Sequence, residues 1–448
     1  MRSLAILILI AVGLGGALIS RHIGLLTYVW FALFRPLEWV WWDLTRFRLS
    51  LVSGLFLVLP AVITGMVPNV THPLSLLSWA ALATAVLAQT TTYVQSDLNW
   101  LDQFARLIFI STLAVTILNT RERLSQFIAV MAGSFAFYSA KAGIVVLTTG
   151  GVQFSDGQAG AFVDNNGYAL AINMALPFMV ISGSLLRFQV PGVKYIRKGF
   201  YAAVPLSVLT IIGTNSRGGL LALGTLAVVL ALLQRRPLLW LASMVLAGVL
   251  TYNFAPMPEG YLDRVNTISN YDEVGEQSAL GRLHFWRIAF KMAAANPLGV
   301  GLRNYDRAYD DYDDSGGAYG TRRSVHNSHL QMLSELGYIG FGLWILIFAY
   351  AITSCLRIRF TAASLSGLND EDRRYYMLTS TAFVASMCAF IVGGTFIASA
   401  NNELTWFTFG GIAALHRQFR SEAAVQKRVR SGSRPAPAMP PPRRPAIA

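Results

Sequence analysis

The chain has 448 residues, of which 54% are hydrophobic and only 13% carry a formal charge. Soluble domains average about 25% charged and about 45–50% apolar residues, so this composition excludes a water-soluble enzyme, a disordered chain and a secreted disulfide scaffold. The two cysteines, Cys355 and Cys388, both lie in apolar runs and indicate no structural disulfide. The sequence therefore predicts a protein that crosses a membrane several times.

Thirteen apolar stretches are candidate membrane spans, because a crossing helix needs about 20 mostly apolar residues. They cover roughly residues 3–20, 22–34, 49–66, 73–92, 101–118, 124–148, 167–187, 199–213, 218–234, 237–255, 329–356, 375–399 and 403–416. Since several are short and the first two can form one broken helix, we predict about 12 helices in an all-α, polytopic transmembrane bundle.

Four regions follow from this pattern. Residues 1–255 and 329–416 form the two sets of transmembrane helices, and 256–328 is a large loop between them with an amphipathic stretch at 283–292. Residues 417–448 carry eight basic residues and one acidic residue, and they supply more than half of the net charge of +13. Because this tail is charged and rich in proline, we predict that it is disordered and cytoplasmic, and that it does not bind nucleic acid.

The short basic loops predict the orientation of the later helices, because Lys and Arg accumulate on the cytoplasmic side. These loops contain Arg121, Arg123, Arg187, Lys194, Arg197, Lys198, Arg235, Arg236, Arg357, Arg359, Arg373 and Arg374. The alternating loops, which include 149–166, 214–217 and 256–328, then face outward. Arg35, Arg46 and Arg48 break the rule, so the orientation of the first third stays open.

The outward loops are unusually rich in arginine for that side of a membrane protein. Their arginines are Arg217, Arg264, Arg282, Arg287, Arg303, Arg307, Arg322 and Arg323. Arg217 lies in a polar segment, 213–219, between two apolar helices, and a helix begins there. The free N–H groups of a helix start and a guanidinium together suit a phosphate. The alternative is an arginine that extends to the lipid headgroups.

Two histidines, His326 and His329, lie where the large loop leads into a membrane helix. A histidine at this boundary titrates near neutrality, as a general base must. A hydrogen-bonded structural histidine is the alternative. A shared metal is disfavoured, because no third ligand and no HExxH pattern are evident.

Two further polar segments occur in the outward loops. The acidic run at 306–316 has Arg322 where an EF-hand needs a bidentate Glu, so we interpret it as a solvated loop and predict no metal site. Asp164 and Asn166 precede the next span, where they either bind sugar hydroxyls or cap that helix.

Three stretches together resemble the O-antigen ligase superfamily of bacterial envelope enzymes. They are Ser216-Arg217-Gly218-Gly219, then Gly281-Arg282 with Trp286 and Asn296-Pro297-Leu298-Gly299-Val300-Gly301, then His326-Asn327 with Leu330 and Glu335-Leu336-Gly337. The segment from Gly150 to Pro177 is also similar to ligases of exopolysaccharide systems, so the resemblance spans about residues 130–345. It implies a GT-C-like bundle with one large periplasmic loop, in the bacterial inner membrane.

The resemblance implies an enzyme that transfers a glycan from an undecaprenyl-pyrophosphate donor to a sugar hydroxyl of lipid A–core, without a metal or other cofactor. Arg217 and Arg282, with Arg287 in support, are then expected to bind the pyrophosphate, because fixed guanidiniums stabilise the charge of the leaving group. His326 is expected to be the base of an inverting attack, or only to position the acceptor. Asn327, His329, Asp164 and Asn166 are candidate contacts to the acceptor or its sugar.

Other functions remain open from the sequence. A polymerase that extends a lipid-linked chain and a protein O-oligosaccharyltransferase differ from the ligase in the acceptor only. A transporter of lipid-linked glycans is the alternative from another class, but transporters usually place ionisable groups near the membrane midplane.

Overall fold

The computed structural model describes residues 2–41, 48–94, 97–149, 164–186, 192–254 and 277–430. The chain in these ranges is α-helical. Its helices are α1 (Arg2–Ile19), α2 (Arg21–Phe34), α3 (Leu49–Ile63), α4 (Pro73–Thr91), α5 (Leu98–Ile117), α6 (Arg121–Thr149), α7 (Asn165–Leu185), α8 (Val193–Gly213), α9 (Arg217–Leu232), α10 (Pro237–Phe254), α11 (Gln277–Ala295), α12 (Tyr305–Tyr312), α13 (Ser328–Ser364), α14 (Asp370–Gly393) and α15 (Glu403–Arg430).

The predicted all-α, polytopic membrane fold is confirmed. Each of the thirteen apolar stretches corresponds to a helix, and eight of the described helices are long and apolar enough to cross a membrane. The first two stretches are two separate helices, not one broken helix: α1 and α2 pack as a hairpin around Ser20. Gly13 and Gly16 allow this close packing, because a Cβ at either position would lie within 3 Å of the side chain of Thr27 or Ile23.

Helices α7 and α14 form the centre of the bundle. They are the most buried of the eight candidate spans, and they pack on each other through an edge-to-face contact of Phe178 and Phe383, whose ring centroids are 5.4 Å apart. Helices α6, α8 and α9 surround α7, while α9 and α13 flank α14. The ends of these helices lie at two opposite faces of the bundle.

We call one end of the bundle the loop face, because residues 277–327 cover it. The starts of α7, α9, α13 and α15 lie there, and Thr92 after α4 donates a hydrogen bond to the carbonyl oxygen of Val300 in the loop. Arg35 also lies at this face, 3.9 Å from Glu403 at the start of α15. This placement agrees with simple alternation of the spans. Arg46 lies outside the described residues.

We call the other end the basic face. There the guanidinium of Arg121 at the start of α6 contacts carboxylates of both Asp372 and Glu422, which lie on α14 and α15. Arg197 on α8 donates hydrogen bonds to the last carbonyls of α7, and Arg359 on α13 donates to the carbonyl oxygen of Leu233. The basic loops that the sequence placed on one side therefore lie at one end of the bundle.

The disorder predicted for the tail from residue 417 is wrong for its first part, because α15 continues without a break to Arg430. Contacts with residues distant in sequence stabilise the additional turns of α15. Gln418 donates hydrogen bonds to the carbonyl oxygens of Leu118 and Thr120, and Glu422 contacts Arg121 at 3.1 Å. Residues 431–448 lie outside the described residues.

The glycine-rich segment after α11 fills a break in α13. At Gly337 the backbone leaves the helical conformation (φ 66°, ψ −169°), which frees carbonyl groups of the preceding turn. The N–H of Val300 donates to the carbonyl of Ser334, and the N–H of Gly301 donates to that of Glu335. The loop and the broken helix thus satisfy each other's backbone groups, as burial requires.

Gly299→Ala is expected to lower the free energy of unfolding by about 2–5 kcal/mol, because the new Cβ adds both backbone strain and overpacking. Gly299 has φ +94°, and a Cβ there would lie 2.3 Å from the carbonyl oxygen of Glu335. Thermal unfolding in detergent, followed by intrinsic fluorescence, measures the loss. Gly342→Ala in α13, the helix that this segment packs against, is the control, because nothing lies within 4 Å of its Cβ. Equal melting temperatures for both variants would contradict the packing described.

Candidate functional site

Arg217 is the first residue of α9, and the residues around it position this helix start. Ser216 is the N-cap: its Oγ accepts a hydrogen bond from the N–H of Gly219 and donates one to Oδ1 of Asn166. Gly218 packs against Phe396, where a Cβ would come within 3 Å of the ring. The start of a helix carries partial positive charge, to which the Arg217 guanidinium adds a full one.

The start of α7 is fixed beside this segment. Asp164 is its N-cap, and Oδ1 of Asp164 accepts from the N–H groups of Asn166 and Gly167. Asn165 donates to the carbonyl oxygen of Thr214 at 3.0 Å, in the turn that leads into α9. Of the two interpretations of Asp164, helix capping is therefore observed, while Asn166 is engaged by Ser216. The matched segment at 150–163 lies outside the described residues.

The start of α13 adjoins the start of α9 through a shared neighbour. Asn327 caps α13, because its Oδ1 accepts from the N–H groups of His329 and Leu330. Ser328 donates a hydrogen bond to the carbonyl of Ile397, which is the residue after Phe396. Since Phe396 packs on the first turn of α9, the 394–399 segment holds the two helix starts together.

His326 lies just before this helix in a conformation that is rare for a residue with a side chain. Its φ is +45°, which costs about 1–3 kcal/mol and is found mainly at functional sites. The imidazole is half-buried, 6.2 Å from the ring of Phe285, over which the guanidinium of Arg323 lies at 5.5 Å. Within the described part of the chain, no side chain or carbonyl hydrogen-bonds to either imidazole nitrogen of His326.

The surroundings of His326 keep its imidazole neutral near pH 7. Burial lowers the pKa of His326, and the positive charges of Arg282 and Arg323 lower it further, against the opposing charge of Asp164. The charged groups that act on His326 come from three parts of the chain: Arg282 from α11, Asp164 from the start of α7, and Arg323 from the loop. A neutral imidazole with unpaired nitrogens can accept a proton.

His329 has a structural role. Its Nε2 lies 2.9 Å from the carbonyl oxygen of Ile391, and its Nδ1 accepts a hydrogen bond from the indole N–H of Trp344. The rings of Phe348 and Phe390 pack around it. Both nitrogens of His329 are therefore occupied, so the structure does not support the predicted contact between this side chain and an acceptor.

Arg287 does not lie with Arg282. Five residues along an α-helix correspond to a rotation of about 140°, so the two side chains leave α11 in different directions. Arg287 contacts Asp314 at 2.9 Å and His284 at 3.1 Å. Arg287, the third predicted pyrophosphate contact, is therefore engaged in an ion pair at the edge of the loop.

The acidic run contains a group of possible metal ligands: atoms of His284, Asp313 and Asp314 lie within 4.8 Å of one another. Most of these candidate ligand atoms already have partners in the protein. Lys291 contacts Asp314 at 2.6 Å. Asp313 accepts hydrogen bonds from His284, Ser315 and Gly317. The interpretation of the run as a solvated loop is wrong for Asp313, whose side chain is only 7% exposed and organises a turn.

Two interactions near the site were missed at the level of sequence. Arg323 was one arginine among many, and only its spacing of three residues from His326 could have singled it out. Glu335, in the last of the three matched stretches, accepts a hydrogen bond from the backbone N–H of Arg303 at 2.8 Å. The side-chain amide of Gln331 donates to the same carboxylate. Glu335 therefore holds the loop against α13.

The fold and these contacts define a polytopic membrane protein in which arginine- and histidine-bearing helix starts adjoin at one face. Residues 202–345, about a third of the chain, match the family model Wzy_C, described as O-antigen ligase. The match includes Arg217, Arg282 and His326 and confirms the resemblance read from the sequence. It supports a function of the ligase or polymerase type. No curated protein matches the chain in a sequence comparison.

Proposed function

We propose that the protein is an O-antigen ligase, which transfers a glycan from undecaprenyl pyrophosphate to a sugar hydroxyl of lipid A–core. The observation that carries the proposal is the position of His326: its half-buried imidazole is subject to the charges of Arg282, Arg323 and Asp164, and it precedes α13, whose start adjoins the start of α9 that bears Arg217. A proton acceptor and fixed cations in one place are what glycosyl transfer from a pyrophosphate needs.

The arginines act on the leaving group. As the bond between the anomeric carbon and the pyrophosphate oxygen breaks, that oxygen takes the electron pair, so negative charge increases on the pyrophosphate. Arg217 and Arg282 stabilise this charge with forked, charge-assisted hydrogen bonds, and the start of α9 adds its partial positive charge. These groups replace a metal ion in our proposal. Arg287 is left out, because Asp314 engages it.

His326 acts on the acceptor. The acceptor hydroxyl forms a bond to the anomeric carbon as its proton passes to an imidazole nitrogen of His326. A direct displacement of this kind inverts the anomeric centre. The strained backbone of His326 then serves to aim the imidazole at the acceptor, and Asp164 stabilises the imidazolium that forms.

The product formed by the purified protein tests this proposal. The protein, reconstituted in lipid, is given an undecaprenyl-pyrophosphate-linked glycan together with lipid A–core, in the presence of EDTA. We expect glycosylated lipid A–core with inverted anomeric configuration. Elongation of the lipid-linked glycan alone would identify a polymerase, and glycosylation of added protein would identify an oligosaccharyltransferase. Movement of intact lipid-linked glycan across the bilayer without transfer would identify a transporter.

The proposal also requires the loop face to be periplasmic and the basic face to be cytoplasmic in the bacterial inner membrane, because the positive charges of the short loops favour retention inside. In a variant that lacks Cys355 and Cys388, Ala318→Cys should react with an impermeant thiol reagent in spheroplasts. Ser421→Cys should react only after the membrane is permeabilised. Both added cysteines are at exposed positions, one at each face. The opposite labelling pattern would reverse the topology and exclude a periplasmic site.

Two variants should move the acid limb of the pH profile in opposite directions. Activity requires neutral His326, so kcat/KM falls as the pH drops through its pKa, which lies below its ordinary value. Arg323→Gln removes a positive charge, so the pKa of His326 rises and the limb moves to higher pH. Asp164→Asn removes a negative charge but keeps a good helix cap, so the limb moves to lower pH. An unchanged limb in both variants would show that His326 is not the titrating group.

A further inference from the structure

A second cluster of cationic and hydrogen-bonding groups lies at the basic face, remote from the candidate site. Its centre is a pair of histidines, His72 before α4 and His416 on α15, whose Nε2 and Nδ1 atoms are 2.8 Å apart. The ring of Tyr350 on α13 packs edge-on against both, with centroids 5.8 and 6.1 Å away. The function proposed above uses none of these residues.

The hydrogen bonds of the pair determine which ring nitrogen carries the proton in each neutral histidine. The backbone N–H of Leu74 donates to Nδ1 of His72, so neutral His72 carries its proton on Nε2. That proton is donated to Nδ1 of His416, which leaves neutral His416 with its proton on Nε2. Within the described part of the chain this N–H has no acceptor. The pair therefore presents one oriented donor, held in place by the start of α4.

Two arginines flank this donor. Arg357 is seven residues after Tyr350, and Arg420 is four residues after His416, so each lies on the same helix face as its ring. Both helices run toward the basic face, so both arginines lie beyond the rings in that direction. Arg357 and Arg420 are the charged groups that act on Tyr350 and on His416. Both are exposed and, in the ranges that the structure describes, neither forms a hydrogen bond or ion pair.

Arg417 adds a third cation to the cluster, and among the described residues no acid forms an ion pair with it. Arg417 acts on His72 together with Arg420, while the nearest acid along α15, Glu422, is engaged by Arg121. Three guanidiniums and an oriented N–H at one place form a site for an anion with several acceptor oxygens, such as a phosphate group.

The position of the cluster favours a lipid phosphate. It lies at the ends of membrane helices, where headgroups are found, and Phe360, three residues after Arg357 on α13, exposes 62% of its apolar side chain. We propose that Arg357, Arg420 and Nε2 of His416 bind the phosphodiester of an anionic phospholipid in the leaflet at the basic face.

Lipid-dependent stability tests the proposal. The full chain in detergent micelles at physiological salt is titrated with short-chain phosphatidylglycerol, phosphatidylcholine or inorganic phosphate, and the melting temperature is followed by intrinsic fluorescence. We expect phosphatidylglycerol to raise the melting temperature more than the other two. In Arg357→Gln/Arg420→Gln the apparent affinity for phosphatidylglycerol should fall by about tenfold or more, because each basic residue near a headgroup contributes about 1 kcal/mol.

The matched control removes the same charge elsewhere at the basic face. Lys194→Gln/Lys198→Gln alters exposed residues at the start of α8, which packs mainly on α6 and α7. At physiological salt, charges more than about 8–10 Å away are largely screened, so this variant should keep the response to phosphatidylglycerol. An equal loss in both double variants would show a diffuse charge effect and overturn the site. An equal response to inorganic phosphate would overturn the assignment to a lipid.

Discussion

His326→Ala should lower the rate of glycan transfer by about 10²–10⁴-fold, the usual cost of removing a general base. Donor binding should stay nearly intact, because the group acts mainly in the transition state. Burial and the charges of Arg282 and Arg323 favour the neutral imidazole, and His326 precedes α13, whose start adjoins the start of α9. Single-turnover transfer and donor affinity, measured on the same preparation, separate the two effects.

His329→Ala is the control, since it removes a second histidine from the same sequence segment. The change leaves the indole N–H of Trp344 and the carbonyl of Ile391 without their partner. We therefore expect a loss of about 2–5 kcal/mol in stability and near-normal turnover by the molecules that remain folded. Normal transfer by His326→Ala together with an inactive but folded His329→Ala would show that the base is His329.

The membrane fold was predictable because its signal is local. An apolar stretch long enough to cross a bilayer is visible in the sequence, and each such stretch became a helix. The end of α15 was not predictable in this way. Gln418 and Glu422 gain their partners from residues about 300 positions earlier in the chain, so the local composition of the tail suggested disorder where contacts impose a helix.

The candidate site was predictable in its residue types but not in its grouping. Arg217 and His326 were identified from their surroundings in sequence, whereas the placement of the helix starts that carry them depends on hydrogen bonds of Asn166 and Ser328 between distant helices. The separation of Arg287 from Arg282 follows from helix geometry alone, so spacing could have revealed it. The engagement of His329 could not be predicted, because Trp344 and Ile391 approach it only in the packed bundle.

Arg217→Lys should lower kcat/KM for transfer by about 10–100-fold, although the positive charge is kept. Lysine provides a point charge where the guanidinium provides a planar fork, and a hydrogen bond to a charged group contributes about 1.5–3 kcal/mol. At about 1.4 kcal/mol for each factor of ten, the loss of one such bond to the pyrophosphate gives this range. The position at the first residue of α9 leaves little freedom for a flexible side chain to compensate.

Arg287→Lys is the matched control for this change. Arg287 contacts Asp314 through a single nitrogen, at a side chain that is 59% exposed, so lysine can replace that contact and transfer should stay close to normal. Steady-state kinetics over a range of donor concentrations, on variants that elute as folded protein in detergent, compares the two. A large defect in Arg287→Lys with none in Arg217→Lys would mean that the pyrophosphate binds at the edge of the loop beside α12, and that the start of α9 serves only to orient the bundle.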